Sequence, residues 1–172
     1  MFERILCPVD GSDPSQRALQ VATLLARRRD AKLWIMHVVQ PDANDEELRA
    51  FARIEGLGPR PRRERATATL PAPVHAGGVG VAPSTVSPAP LAREVGELIL
   101  RSACVQAAAC GGVETTLRAG DPAREILSEV EEQAIDVVVM GSRGRSNVAG
   151  LLHGSVSRKV ASRAGCPCIT VT

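Results

Sequence analysis

At 172 residues the chain has room for one domain with a full core and is short for two, so a single domain spanning 1–172 is expected. A net charge of +2, with 44% hydrophobic and 23% charged residues, is ordinary for a globular protein. The aromatic share of 2%, with one Trp, two Phe and no Tyr, argues against a single-strand nucleic-acid binder, which needs rings for bases to stack on.

Ile5 to Val9 is a short apolar run ending in Asp10-Gly11-Ser12-Asp13-Pro14. It reads as a strand followed by a helix, with Ser12 or Asp13 as cap, Pro14 in the first turn, and Ala18, Val21, Ala22 and Leu25 on the apolar face. Leu33 to Val39, closed by Pro41, predicts a second buried strand, parallel to the first because a helix lies between them. Asn44 to Glu55 has the spacing of a short helix, with Leu48, Phe51 and Ala52 as its apolar side. From 56 to 90 the composition changes, and seven of the twelve prolines and five of the fifteen glycines fall there, with Arg60, Arg62, Arg63 and Arg65. This segment reads as a flexible insertion, since it lacks the periodic apolar residues that offset ordering entropy.

Helical spacing returns with Leu91, Val95, Leu98, Ile99, Ser102 and Val105, and Gly111-Gly112 suits a helix stop. Val113 to Arg118 is the third expected strand. Asp121-Pro122 repeats the cap-then-proline start, and Ala123, Ile126, Leu127 and Val130 mark the buried face of the next helix. Asp136-Val137-Val138-Val139-Met140 is a β-branched run that reads as a buried strand. A glycine loop follows, then a last helix with Val156, Val160 and Ala164 at helical spacing, and a strand over Pro167 to Val171. The alternation of strand and helix predicts an α/β fold: a doubly wound, open, parallel five-stranded sheet of Rossmann-like type with order 3-2-1-4-5.

No apolar run is long enough to span a bilayer. The start Met1-Phe2-Glu3-Arg4 leads at once into a strand and leaves no room for a signal peptide, so a cytoplasmic protein is expected. The five cysteines, 7, 104, 110, 166 and 168, lack the paired spacing of a zinc site and read as reduced, buried thiols. Cys166 and Cys168 fall on one face of an extended chain.

The richest stretch is Gly141-Ser142-Arg143-Gly144, nine residues, then Gly154-Ser155-Val156-Ser157. It lies between a strand and a helix, where glycines let backbone approach a ligand and a helix start offers unpaired N–H groups. Ser155 or Ser157 is placed to cap that helix. From Val137 to Thr172 there is no Asp or Glu, while Arg143, Arg145, Arg158, Lys159 and Arg163 are cationic. In doubly wound sheets the ligand binds where strand order reverses, here between strands one and four. The Pro8-Val9-Asp10 loop and the glycine loop then face one crevice, which suits a phosphate-bearing ligand. His153 and His37 show no partner in sequence that would make a catalytic pair, and His37 reads as a core residue.

These residues resemble the universal stress proteins, in particular their ATP-binding branch, whose mark is Gly, two residues, Gly, nine residues, Gly and Ser or Thr. Gly141, Gly144, Gly154 and Ser155 match it without a gap. Ile5 to Ser12, His37-Val38-Val39, Gly120-Asp121-Pro122-Ala123 and Cys166-Pro167 agree as well, and the likeness excludes roughly 42–90. The resemblance implies an adenine nucleotide alpha hydrolase-like fold. It also implies that Pro8, Val9 and Asp10 line an adenosine pocket and that Val38 meets the adenine through its backbone. Met140 and Gly141 would lie by the ribose and first phosphate, and Gly144, Gly154, Ser155, Val156 and Ser157 would hold the polyphosphate of ATP with a divalent ion, Mg2+. A homodimer through the last strand is implied too, and the exposed apolar edge of Cys168-Ile169-Thr170-Val171 agrees with it.

The function expected is that of an ATP-binding, nucleotide-dependent regulatory or stress-response module with an unnamed protein partner. A slow ATPase or phosphotransferase on the same site is the enzymatic alternative. It is disfavoured because the glycine loop carries no carboxylate to fix metal and water, leaving Asp10 and Asp13, and because the Walker A pattern is absent. A nucleotide-free dimeric interaction module is the third reading.

Overall fold

The computed structural model describes residues 2–40, 90–142 and 154–172. Its elements are β1 (Arg4–Pro8), α1 (Asp13–Arg29), β2 (Lys32–Val39), α2 (Pro90–Gln106), β3 (Val113–Ala119), α3 (Pro122–Glu132), β4 (Val137–Gly141), α4 (Ser155–Arg163) and β5 (Cys168–Val171). The expected helix at 44–55 and residues 56–89 of the expected insertion at 56–90 lie outside the described residues, while Pro90 opens α2.

The strands form one five-stranded sheet in the order β3-β2-β1-β4-β5, all parallel. This is the adenine nucleotide alpha hydrolase-like arrangement with helices on both faces. The reason is visible along each inner strand, where alternate residues feed opposite layers. Ile5, Cys7, Leu33, Ile35, Val137 and Val139 pack under α1 and α2, with Ala18, Leu19, Ala22, Val95 and Ile99. Leu6, Trp34, Met36, Val138 and Met140 pack on the other face with Ala123, Ile126 and Val130 of α3 and Val160 of α4. Each fully buried Leu, Ile or Val contributes roughly 1.5–3 kcal/mol relative to exposure.

Helix starts follow the local chemistry. Ser12 caps α1, accepting from Ser15 N, with Pro14 in the first turn, and Asp121 caps α3, accepting from Arg124 N at 2.9 Å. These groups satisfy amides that have no intrahelical partner. The α2 stripe differs from the expected one, since Ser102 is exposed and Val105 is 77% exposed, whereas Ala92, Gly96, Leu100 and Ala103 face the sheet. Small residues draw the helix in. A Cβ on Gly96 would lie 2.9 Å from His37 Cδ2 and from Leu117 Cδ1, so only glycine fits this approach. His37 is buried, as expected, with Nδ1 2.7 Å from Val9 O.

The cysteines depart in part from expectation. All are free thiols, but only Cys7 is buried, and burial pushes its thiol far up from the usual range. Cys104, Cys110, Cys166 and Cys168 are half-buried, because they sit at a helix flank, a turn and the sheet edge rather than in its centre. Cys166 and Cys168 do share one face, against the α3–α4 layer.

Candidate functional site

β1 and β4 are neighbours, with Ile5 level with Val137 and Leu6 with Val138. Pro8, Val9 and Asp10 follow these paired positions on β1, and Met140, Gly141 and Ser142 follow them on β4. Both loops therefore leave the sheet at its reversal of strand order, where a ligand crevice forms in this class of fold.

On the β1 side, Val9 N donates to Met36 O at 2.8 Å, so the strand's last rung is tied to β2. Asp10 then turns the chain. Its Oδ1 accepts from Ser12 N at 3.0 Å and from Ser12 Oγ at 2.6 Å, and Gly11 between them has φ of 83°, a conformation that favours glycine. The Asp10 carboxylate thus organises its own loop. Val38 lies at the end of β2, level with Arg118 of β3. Because Met36 O points to β1 and backbone groups alternate in direction along a strand, the N–H and C=O of Val38 point the same way, past the end of β1.

On the β4 side, Met140 is held in the α3–α4 core and Gly141 is level with Val171. Ser142 then acts as a clasp. Its N–H donates to Val171 O at 2.7 Å, while its carbonyl accepts from Gly154 N at 2.5 Å and from Ser157 Oγ at 3.0 Å. One residue joins β4, β5 and the start of α4. The Ser142 hydroxyl is buried, in a residue only 1% exposed, and has no hydrogen-bond partner among the described residues.

The expectation that Ser155 or Ser157 caps α4 is corrected. Gly154 is the cap residue, with φ −66° and ψ 155°, and among the described residues no side chain bonds the free amides. Ser157 is 2% exposed and its hydroxyl is directed to the carbonyls of Ser142 and Gly154, while Ser155 is exposed. A hydroxyl three residues into the helix reaches backward to carbonyls more readily than it reaches its own turn's N–H groups. What α4 presents is backbone: the N–H groups of Ser155, Val156 and Ser157, before Arg158 N makes the first helical bond to Gly154 O at 3.2 Å.

Pro8, Val9, Asp10, Val38, Met140, Gly141, Gly154, Ser155, Val156 and Ser157 all fall at strand ends or at the α4 start. Gly144, Arg143, Arg145 and His153 lie outside the described residues. Ser142 was missed as a site residue, although its place between the strand and the first glycine spacing was the available signal. Among the described residues no group of three or more His, Cys, Asp or Glu could hold a metal ion.

The sheet order and the two loops that leave it where that order reverses define a doubly wound, open parallel fold. Over residues 1–172 the chain matches the universal stress protein family, and it belongs to that family. It is 31% identical over 172 residues, covering 99% of both chains, to universal stress protein YxiE of Bacillus subtilis strain 168. Among solved structures it is similar to universal stress protein UspA from Lactobacillus plantarum, with TM-score 0.66 and 20% identity over 99% of this chain and 98% of that one. It is also similar to the universal stress protein from Archaeoglobus fulgidus in complex with dAMP, with TM-score 0.57 and 20% identity over 99% and 98%.

Proposed function

We propose that this chain binds ATP, with Mg2+, in the crevice between the β1 and β4 loops, and works as a nucleotide-dependent regulatory or stress-response module. One observation carries the reading: α4 opens on Gly154 with no side-chain cap, so three backbone N–H groups stand at the positive end of a helix dipole beside the β4 end. The structural neighbour solved with dAMP supports an adenine nucleotide. In this reading Pro8, Val9 and Asp10 border the adenosine, and the backbone of Val38 meets the base. Met140 and Gly141 lie by the ribose and first phosphate. Gly144, Gly154 and the amides of Ser155, Val156 and Ser157 take the remaining phosphates.

Hydrolysis is slow in this reading. The nearest carboxylate on the β1 side, Asp10, is engaged with Ser12 and holds its loop, so it is poorly placed to orient a water as well. The protein then stabilises bound nucleotide without favouring the transition state. β5 lies at the sheet edge, with Ile169 and Val171 half-buried and Thr170 exposed, which supports a homodimer through that strand. A monomer in sedimentation at micromolar concentration refutes the dimer.

Calorimetric titration with ATP tests the site. Gly154→Val is expected to lose binding by more than about tenfold, because a branched Cβ crowds the phosphate and restricts the cap. Parent-like affinity in folded Gly154→Val overturns the assignment. Turnover of many ATP per second by the pure protein favours the enzymatic reading instead.

A further inference from the structure

Arg158 and Lys159 occupy an unusual place. They are exposed, lie in the first turn and a half of α4, and have no ion-pair partner among the described residues. The positive end of a helix dipole repels cations there. Side chains on a helix lean toward its N-terminus, so both cover the opening turn instead of trailing away from it. Two other features of that turn are incomplete among the described residues: the amides after Gly154 have no side-chain acceptor, and the buried hydroxyl of Ser142, whose carbonyl bonds Gly154 N, has no partner. An unpartnered buried hydroxyl is costly, and a ligand group or a water carried with it relieves that cost. Backbone donors and two cations with no ion pair among the described residues thus share the opening of one helix, next to the Ser142 clasp.

We propose that Arg158 and Lys159 make this site selective for the charge of the phosphate chain, favouring an adenine nucleotide with three phosphates over one with a single phosphate. The proposal rests on the nucleotide reading above and specifies which members of that ligand class bind best. Three amides suffice to hold one phosphate. Each further phosphate adds negative charge that neutral donors stabilise only weakly, and charge-assisted bonds from Arg and Lys are about twice as strong. Arg163 lies two turns from the N-terminus and serves as the positional control, since dipole and contact effects fall off within the first turn.

The experiment is calorimetric titration of the full chain with ATP and with AMP, for the parent, for Arg158→Gln with Lys159→Gln, and for Arg163→Gln. All three substituted positions are exposed, and circular dichroism checks that each variant is folded. The double variant is expected to weaken ATP about tenfold and AMP by less than about twofold, while Arg163→Gln changes ATP by less than about twofold. Restoring charge with Arg158→Lys and Lys159→Arg is expected to recover most of the ATP affinity. Equal losses for ATP and AMP, or no loss for either, overturn the proposal while leaving the nucleotide site standing. A parent that binds neither nucleotide overturns the site itself, and the proposal with it.

Discussion

The β3–α3 side of the sheet and the opening of α4 both hold arginine, and they treat it in opposite ways. Arg118 of β3 is buried among carboxylates: its Nε donates to Glu129 Oε2 at 2.8 Å, its Nη1 to Glu132 Oε1 at 3.1 Å, and Glu125 Oε2 lies 3.7 Å from Nη1. Thr116 Oγ1 also donates to Glu129, which is 1% exposed. Hydrogen bonds donated to Glu132, together with the charges of Glu129 and Glu132, hold the guanidinium pKa above its usual range, against the opposing effect of burial. On α4, Arg158 and Lys159 are exposed and have no such partners among the described residues. Charge satisfied inside the fold is architecture, and charge left unsatisfied at a helix start is available to something else.

The largest expected break in this contrast is Arg118→Leu. It leaves Glu129 buried without its cation and should cost about 3–5 kcal/mol in urea unfolding. Adding Glu129→Leu should recover most of that loss, because paired apolar replacements of a buried ion pair are often neutral. If Arg118→Leu costs less than about 1 kcal/mol, the cluster is not structural.

Acid should separate the two regions next. The Arg118 guanidinium, then the Ser128 hydroxyl, hold the Glu132 carboxyl below its usual range, with burial opposing weakly. A carboxylate depressed in the folded state stabilises it above the unfolded pKa, and that contribution disappears as pH falls through the folded value. Stability should therefore drop on acidification below about pH 4.5, and Glu132→Gln should flatten this slope. Asp136, depressed mainly by the backbone N–H of Glu3 and also by that of Arg4, adds a slope of the same sign. An unchanged urea midpoint slope in Glu132→Gln contradicts the assignment.

The smallest effect is on α4. Arg158→Gln with Lys159→Gln should leave stability unchanged or raise it by about 0.3–1 kcal/mol, since cations are removed from the positive end of the helix. A loss of more than about 1 kcal/mol in thermal unfolding means that these residues are structural after all.

Much of this architecture could be read from the residues because its signals are local. The β-branched runs at Ile5, Leu33 and Val137, and the Ser12 and Asp121 starts followed by proline, each decide an element within a few positions. Strand order followed from the alternation of strand and helix. What escaped depends on contacts between distant residues. Arg118 and Glu129 each look like surface charges alone, and only the inward position of β3 against Glu125, Glu129 and Glu132, spaced along one side of α3, turns them into a cluster. Gly96 carries no local signal of its role, which comes from the close approach of α2 to His37 and Leu117. Ser157 looked like a cap because the rule is local, whereas its hydroxyl answers to Ser142, fifteen positions away.

The Ser142 clasp also divides neighbouring amides by how readily water reaches them. The N–H groups of Ser142 and Gly154 are both spent on carbonyls, of Val171 and of Ser142 itself, and exchange of either hydrogen requires the junction of three elements to open. The next three amides, at Ser155, Val156 and Ser157, have no such closure among the described residues and are expected to exchange faster when no nucleotide is added. Isotope exchange thus reads a sharp step across a single peptide unit, and slowing of the second group alone reports an occupant at the helix start.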